Sequence, residues 1–154
     1  MKKALLTFGF GTMEPVLALS IPSKLSYAFR HGYDLIVPAY PGRLAGAPSW
    51  HKVPLINDLL FGGGYDLVLW MDADVIVNNE TVDIADEVPI DSALGIVVHE
   101  NDTHGSVPNC GVMVLRQDYQ TNRLLRQLRE VKVPKRFENI WEQGAMLVAM
   151  GMGE

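Results

Sequence analysis

The sequence predicts an α/β domain with a mostly parallel central sheet flanked by helices, and two observations carry that prediction. Short apolar runs alternate with segments whose apolar residues recur at helical spacing, in the order β-α-β-α-β before further strands and helices. The third run, over 66–77, reads DLVLWMDADVIV and is interrupted only by Asp72 and Asp74, as expected of a strand covered on both faces. Ligands of open sheets bind beyond the carboxyl ends of the strands, and the acidic pair stands at such an end.

The elements follow in order. Residues 4–8 form a short apolar strand, and Gly9, Phe10, Gly11 and Thr12 form the loop after it. A helix over 15–31 carries Pro22, which should break or kink it, and Gly32 is its stop signal. Residues 33–37 read as the second strand, and 38–49, with prolines and glycines, as a loop. Trp50, Val53, Ile56, Leu59 and Leu60 mark a helix that ends at Gly62. After the acidic pair, Val75 to Val77 continue apolar, so no turn is expected directly there. Residues 78–91 are polar, 94–98 a strand, 99–108 a polar loop and 112–115 another strand. Asp118 is a good N-cap for a helix with Leu124, Leu125, Leu128 and Val131 on one side. Residues 134–138 form a loop, and 141–150 a last helical or strand-like apolar segment.

At 154 residues the chain reads as one domain over 1–154, able to bury roughly 70% of the unfolded surface. A net charge of −5 argues against a nucleic-acid surface. Arg116, Arg123, Arg126 and Arg129 read as a solvated helix face. The lone Cys110 excludes an intrachain disulfide and a cysteine-rich zinc site. No apolar span of membrane-crossing length and no signal peptide is evident, so a cytoplasmic location is expected. His99 and His104 flank a loop with Glu100 and Asp102, without ligand spacing that supports zinc.

The acidic pair carries the chemistry. Two acids at i and i+2 on an extended chain project to the same side, where they repel. A divalent cation relieves that conflict, and carboxylate oxygens suit Mn²⁺ or Mg²⁺, which commonly hold phosphates as well. Acids at a strand end acting as turn formers or caps are the plainer alternative. A further alternative is the Asp-x-Asp strand of haloacid-dehalogenase-like phosphohydrolases, with Asp72 as nucleophile.

Five motifs in order give the chain a family resemblance: Tyr27-Ala28-Phe29-Arg30-His31-Gly32-Tyr33, Trp50-His51-Lys52, Trp70-Met71-Asp72-Ala73-Asp74, Asn109-Cys110-Gly111 and Glu142-Gln143. Together they resemble the donor half of a GT-A-fold, Rossmann-like glycosyltransferase. Family 34 (galactosyl-, mannosyl- and xylosyltransferases) is nearer than the glycogenin-like family 8. The resemblance implies transfer of a hexose or pentose from a UDP-sugar, or less readily a GDP-sugar, to a saccharide hydroxyl, with retention of anomeric configuration. It implies Asp72 and Asp74 as metal ligands and Phe8, Gly9, Lys52, Asp72, Asn109 and Gly111 as donor contacts. Lys52, Glu142 and Gln143 would act at the reacting centre. A surface lysine, a bare turn and a helix-dipole acid are the plainer readings of Lys52, Asn109 and Glu142. The family fold continues with a histidine segment that supplies a third metal ligand and covers the acceptor. No histidine follows His104, so a fragment or reduced form is expected, and a domain that binds donor without transferring it is the alternative to transfer. The apolar residues 145–150 would then be covered by further chain or by a second copy in a homo-oligomer.

Overall fold

Side chains alternate across a strand, so β1 (Lys3–Leu6) sends Leu5 to one face of the sheet and Ala4 and Leu6 to the other. The computed structural model describes residues 1–39, 47–102 and 105–152. Its elements are β1, α1 (Glu14–His31), β2 (Tyr33–Ile36), α2 (Lys52–Phe61), β3 (Leu67–Met71), β4 (Leu94–Asn101), β5 (Gly105–Arg116), α3 (Tyr119–Glu130) and α4 (Trp141–Ala149). The sheet order is β2-β1-β3-β5-β4. β1 pairs in parallel with β2 and β3, and β5 runs antiparallel to β3 and β4, so β5 alone opposes the common direction.

Two apolar layers result. Leu6, Val68, Trp70, Met113 and Leu115 meet residues of α2, α3 and α4, including Ile56, Leu125 and Met146. Leu5, Leu67, Leu69, Met71 and Val114 meet Tyr27 and Ala28 of α1. All five residues of β3 are buried, as its unbroken apolar run predicts. The chain leaves β1 toward β2 on one side and returns to β3 on the other. The loops after β1 and β3 therefore flank a crevice at the switch in strand order.

Several local expectations change. β3 ends at Met71, and the chain turns at Ala73 and Asp74, with the Val75 N–H donating to the Asp72 carbonyl at 3.2 Å. Val75 and Val77 still pack against the α1-side core, so their apolar character reflects burial without strand pairing. α1 runs through Pro22, which is solvent-exposed, and ends at Gly32 with φ 68°. Within the stretch read as a polar loop over 99–108, residues 99–101 and 105–108 are paired strand, with β4 at the sheet edge where polar side chains meet water. His104 and residues 40–46 lie outside the described residues. Arg116 ends β5 instead of joining a helix face, and donates to the carbonyls of Ala85, Val88, Pro89 and Ser92. Ala145, Met146 and Leu147 are buried within the chain itself, because α4 packs on β5 and the 3₁₀ turns before it. Their apolarity needs no second copy. No described helix is long and apolar enough to cross a membrane.

Candidate active site

The crevice between the β1 and β3 loops opens into a pocket of about 350 Å³. Phe8, Gly9 and Phe10 line one wall; Asp72 and Asp74 line another; Lys52, Trp141 and Glu142 stand beside the acids. A Cβ on Gly9 would lie 2.7 Å from the Met13 carbonyl oxygen and 3.2 Å from Ala73 Cβ, so glycine lets the first loop approach the acidic turn. Phe8 and Phe10 stack at 4.8 Å, and Phe8 also meets Trp70.

Lys52 opens α2 and is 2% exposed. Its ammonium donates to Asp72 Oδ1, the Cys110 carbonyl and Glu142 Oε1, each at 3.0 Å, and sits 4.9 Å from the Trp70 ring centre. Burial alone would lower its pKa; Glu142 and Asp72 outweigh that and hold it above the ordinary value. Trp70 Nε1 adds a 2.9 Å bond to the same Asp72 Oδ1. The plainer reading of Lys52 as a surface lysine is thereby overturned.

β5 is irregular here. Ile96 pairs with Met113 but Val97 with Asn109, so residues 110–112 have no partner on β4. The loosened stretch turns the Cys110 carbonyl to Lys52 and the Gly111 carbonyl to the Asp72 N–H, 2.8 Å away. A Cβ on Gly111 would stand 2.8 Å from Asn109 Oδ1 and 3.3 Å from Asp72 Oδ2. Asp72 Oδ2 accepts no hydrogen bond among the described residues, and Asp74 is exposed. A hard divalent cation fits this donor set: one carboxylate oxygen kept open by a glycine, and a second carboxylate on the same pocket. Among the described residues, no group of three or more His, Cys, Asp or Glu is arranged as a metal site.

Three expected residues stand apart from the pocket lining. Asn109 is exposed, with its Oδ1 engaged by the Gly111 N–H at 2.8 Å, and Gly111 lies behind Asp72. Gln143 keeps a buried Oε1 without a partner among the described residues.

No family model matches the chain. Over 81 residues it is 31% identical to an α-1,2-galactosyltransferase of Schizosaccharomyces pombe, covering 49% of this chain and 22% of that protein. It thus spans about a fifth of the length of this curated relative. Among solved structures, it is similar to a glycosyltransferase involved in the glycosylation of the major capsid of PBCV-1 (TM-score 0.65, 17% identity, 92% of this chain, 75% of that one). A second is GlyE of Streptococcus pneumoniae (0.58, 17%, 97% and 43%). A third is a Drosophila β1,4-galactosyltransferase 7 in complex with manganese, UDP-Gal and xylobiose (0.51, 14%, 84% and 62%). The chain has the fold of these glycosyltransferases. This fold leaves the phosphohydrolase alternative without support.

Three features of the site escaped the sequence reading. Lys24, on α1, is fully buried behind the acidic turn. Burial lowers its pKa to about 8, against the upward pull of Asp72 and Asp74. Its helical phase with Ser20, Tyr27 and Ala28 was the available signal. Trp141 is half-exposed at the rim, on a backbone of φ 51° that bulky residues rarely adopt, and no sequence signal marks it. The Cys110 carbonyl, not its thiol, takes part; burial pushes the thiol up to about 12.

Proposed function

We propose that the domain binds a nucleotide-diphosphate sugar together with Mn²⁺ or Mg²⁺ and transfers the hexose or pentose to a saccharide hydroxyl. The observation that carries this reading is the meeting of Lys52, Asp72 and Glu142 from three separate elements at the switch-point pocket, with Asp74 beside them. Asp72 through Oδ2, and Asp74, would hold the cation, whose chemistry there is Lewis-acid stabilisation of the departing nucleotide diphosphate. Lys52 contributes a fixed positive charge next to that leaving group. Glu142 is held on the pocket side by Lys52, where it orients the sugar or the incoming hydroxyl. The Phe8–Phe10 wall, with Gly9, provides a flat apolar surface for the base. Asn109 is the candidate for sugar hydroxyls, Gly111 keeps the approach to Asp72 open, and Gln143 offers an unengaged carbonyl.

The neighbour bound to manganese and UDP-Gal supports UDP over GDP. The name of the fission-yeast relative supports an α product, which from an α-linked donor means retention.

The test is thermal unfolding with UDP-sugars and Mn²⁺, followed by product analysis over an acceptor panel. A stabilisation that requires both ligands and disappears in Asp74→Asn is expected. No shift with any nucleotide sugar in the presence of metal would sink the reading. Binding without transfer would leave a donor-binding domain.

A further inference from the structure

Lys24 is 0% exposed in the middle of α1. Its Nζ donates to Thr7 Oγ1 at 2.9 Å, Ser20 Oγ at 3.0 Å and the Asp72 carbonyl at 2.7 Å, and reaches the Ala73 carbonyl at 3.4 Å. Ser20 Oγ also donates to the Ala73 carbonyl, at 2.5 Å. No carboxylate among the described residues lies within ion-pair distance of this ammonium. Burying a cation that is met only by neutral oxygens costs several kcal/mol, and a methionine of similar length would fill the same space without that cost. Stability therefore does not explain a lysine here.

What the ammonium touches does. It gathers two successive carbonyls, at the point where the chain leaves β3 and bends. In a trans peptide the N–H points opposite to the preceding carbonyl, so the same contacts turn the Ala73 and Asp74 N–H groups away from Lys24. The bend is thus tied from the α1 side, while the acids on either side of Ala73 line the pocket. Thr7 anchors the ammonium to the end of β1, which fixes the turn relative to the first loop.

We propose that Lys24 is a positioning residue: it presets the Asp72-Ala73-Asp74 turn for a divalent cation and a diphosphate. The inference rests on the metal–donor reading given above. It has an opposite in sign that makes it testable. A positive charge near two carboxylates repels an arriving cation, so if charge were its whole effect, removing it would tighten metal binding. If Lys24 shapes the turn, removing it weakens binding despite the lost repulsion.

The experiment measures Mn²⁺ affinity in the presence of UDP, by titration calorimetry and by the electron paramagnetic resonance of free Mn²⁺, for wild type, Lys24→Met and Ser20→Ala. Circular dichroism gives the folded fraction of each. A loss of about 10-fold or more in Mn²⁺ affinity per folded Lys24→Met is expected, with a smaller loss in the same direction for Ser20→Ala. Unchanged or tighter binding in Lys24→Met overturns the proposal. Should that variant not fold, Ser20→Ala decides: weaker binding upholds the positioning role, unchanged binding overturns it. A wild type that binds no Mn²⁺ with UDP defeats the underlying metal–donor reading itself, a result distinct from equal binding by wild type and variant.

Discussion

Lys52 shows how one side chain can join parts of a site that are far apart in the chain. Asp72 is 20 residues away and Glu142 is 90, yet both carboxylates close on the same ammonium. Removing one partner from a buried ionic cluster is costly, because the others lose their counter-charge. Lys52→Met should destabilise the fold by about 3 kcal/mol and lower kcat/KM by roughly 10²–10³-fold. Denaturant unfolding and kinetics corrected for folded protein would separate the two effects; full activity per folded molecule would remove Lys52 from the reaction. Gly111 is a gentler probe. Its missing Cβ leaves Asp72 Oδ2 open, so Gly111→Ala should weaken Mn²⁺–UDP binding by about 10-fold with little change in secondary structure. Calorimetry giving wild-type affinity would show that the glycine serves packing alone.

At the scale of elements, Asp83 joins β1, β2, α1 and the 3₁₀ turn over 84–87. It accepts from Lys3 Nζ at 2.7 Å, Tyr33 OH at 2.7 Å, Tyr27 OH at 3.2 Å and the Ala85 N–H at 3.0 Å. Burial would raise its pKa; bonds from Lys3, Tyr33 and Ala85 outweigh burial and hold it below the ordinary carboxylate value. A depressed folded pKa stabilises fully above the unfolded value, about 4, and the contribution is lost as pH falls through the folded value. Urea midpoints should therefore decline below about pH 4, and Asp83→Asn should reduce that decline and cost about 2 kcal/mol at neutral pH. An acid limb unaltered by the substitution would place the sensitivity elsewhere. The neighbouring Tyr27 hydroxyl, pushed up to about 12 mainly by burial, stays protonated throughout this range.

For the whole molecule, ligand and fold are one equilibrium. The pocket is made by the loop after β1, the turn after β3, the first residue of α2 and the first turn of α4, so its shape exists only when the layers are packed. A ligand that binds the folded state alone, at 100 times its dissociation constant, adds about 2.7 kcal/mol. For a domain of this size the expected rise in Tm with Mn²⁺ and UDP is roughly 5–10 °C. Asp74→Asn, an exposed change, should remove that rise while leaving the unliganded Tm nearly in place.

Local chemistry determined much of this protein. The unbroken apolar run of β3, the Gly32 stop, the Asp118 cap (accepting from the Gln120 N–H) and the helical spacing of α2 each rest on a residue and its near neighbours, so the sequence exposed them. Motif order exposed Lys52, Asp72 and Glu142 as one group, and the tertiary structure brings them within hydrogen-bond reach. Only the packed chain decided the rest. The bend at Ala73 looked like a continuing strand because Val75 and Val77 are apolar, and their burial beneath α1 gives the same pattern as strand pairing. The strand residues 99–101 and 105–108 looked like a loop because an edge strand keeps polar side chains in water. Lys24 looked like any helical lysine until α1 docked against β3 and placed its ammonium on the Asp72 and Ala73 carbonyls. Contacts between residues distant in sequence, such as this one at a separation of 48, depend on how layers stack, and no local pattern encodes that.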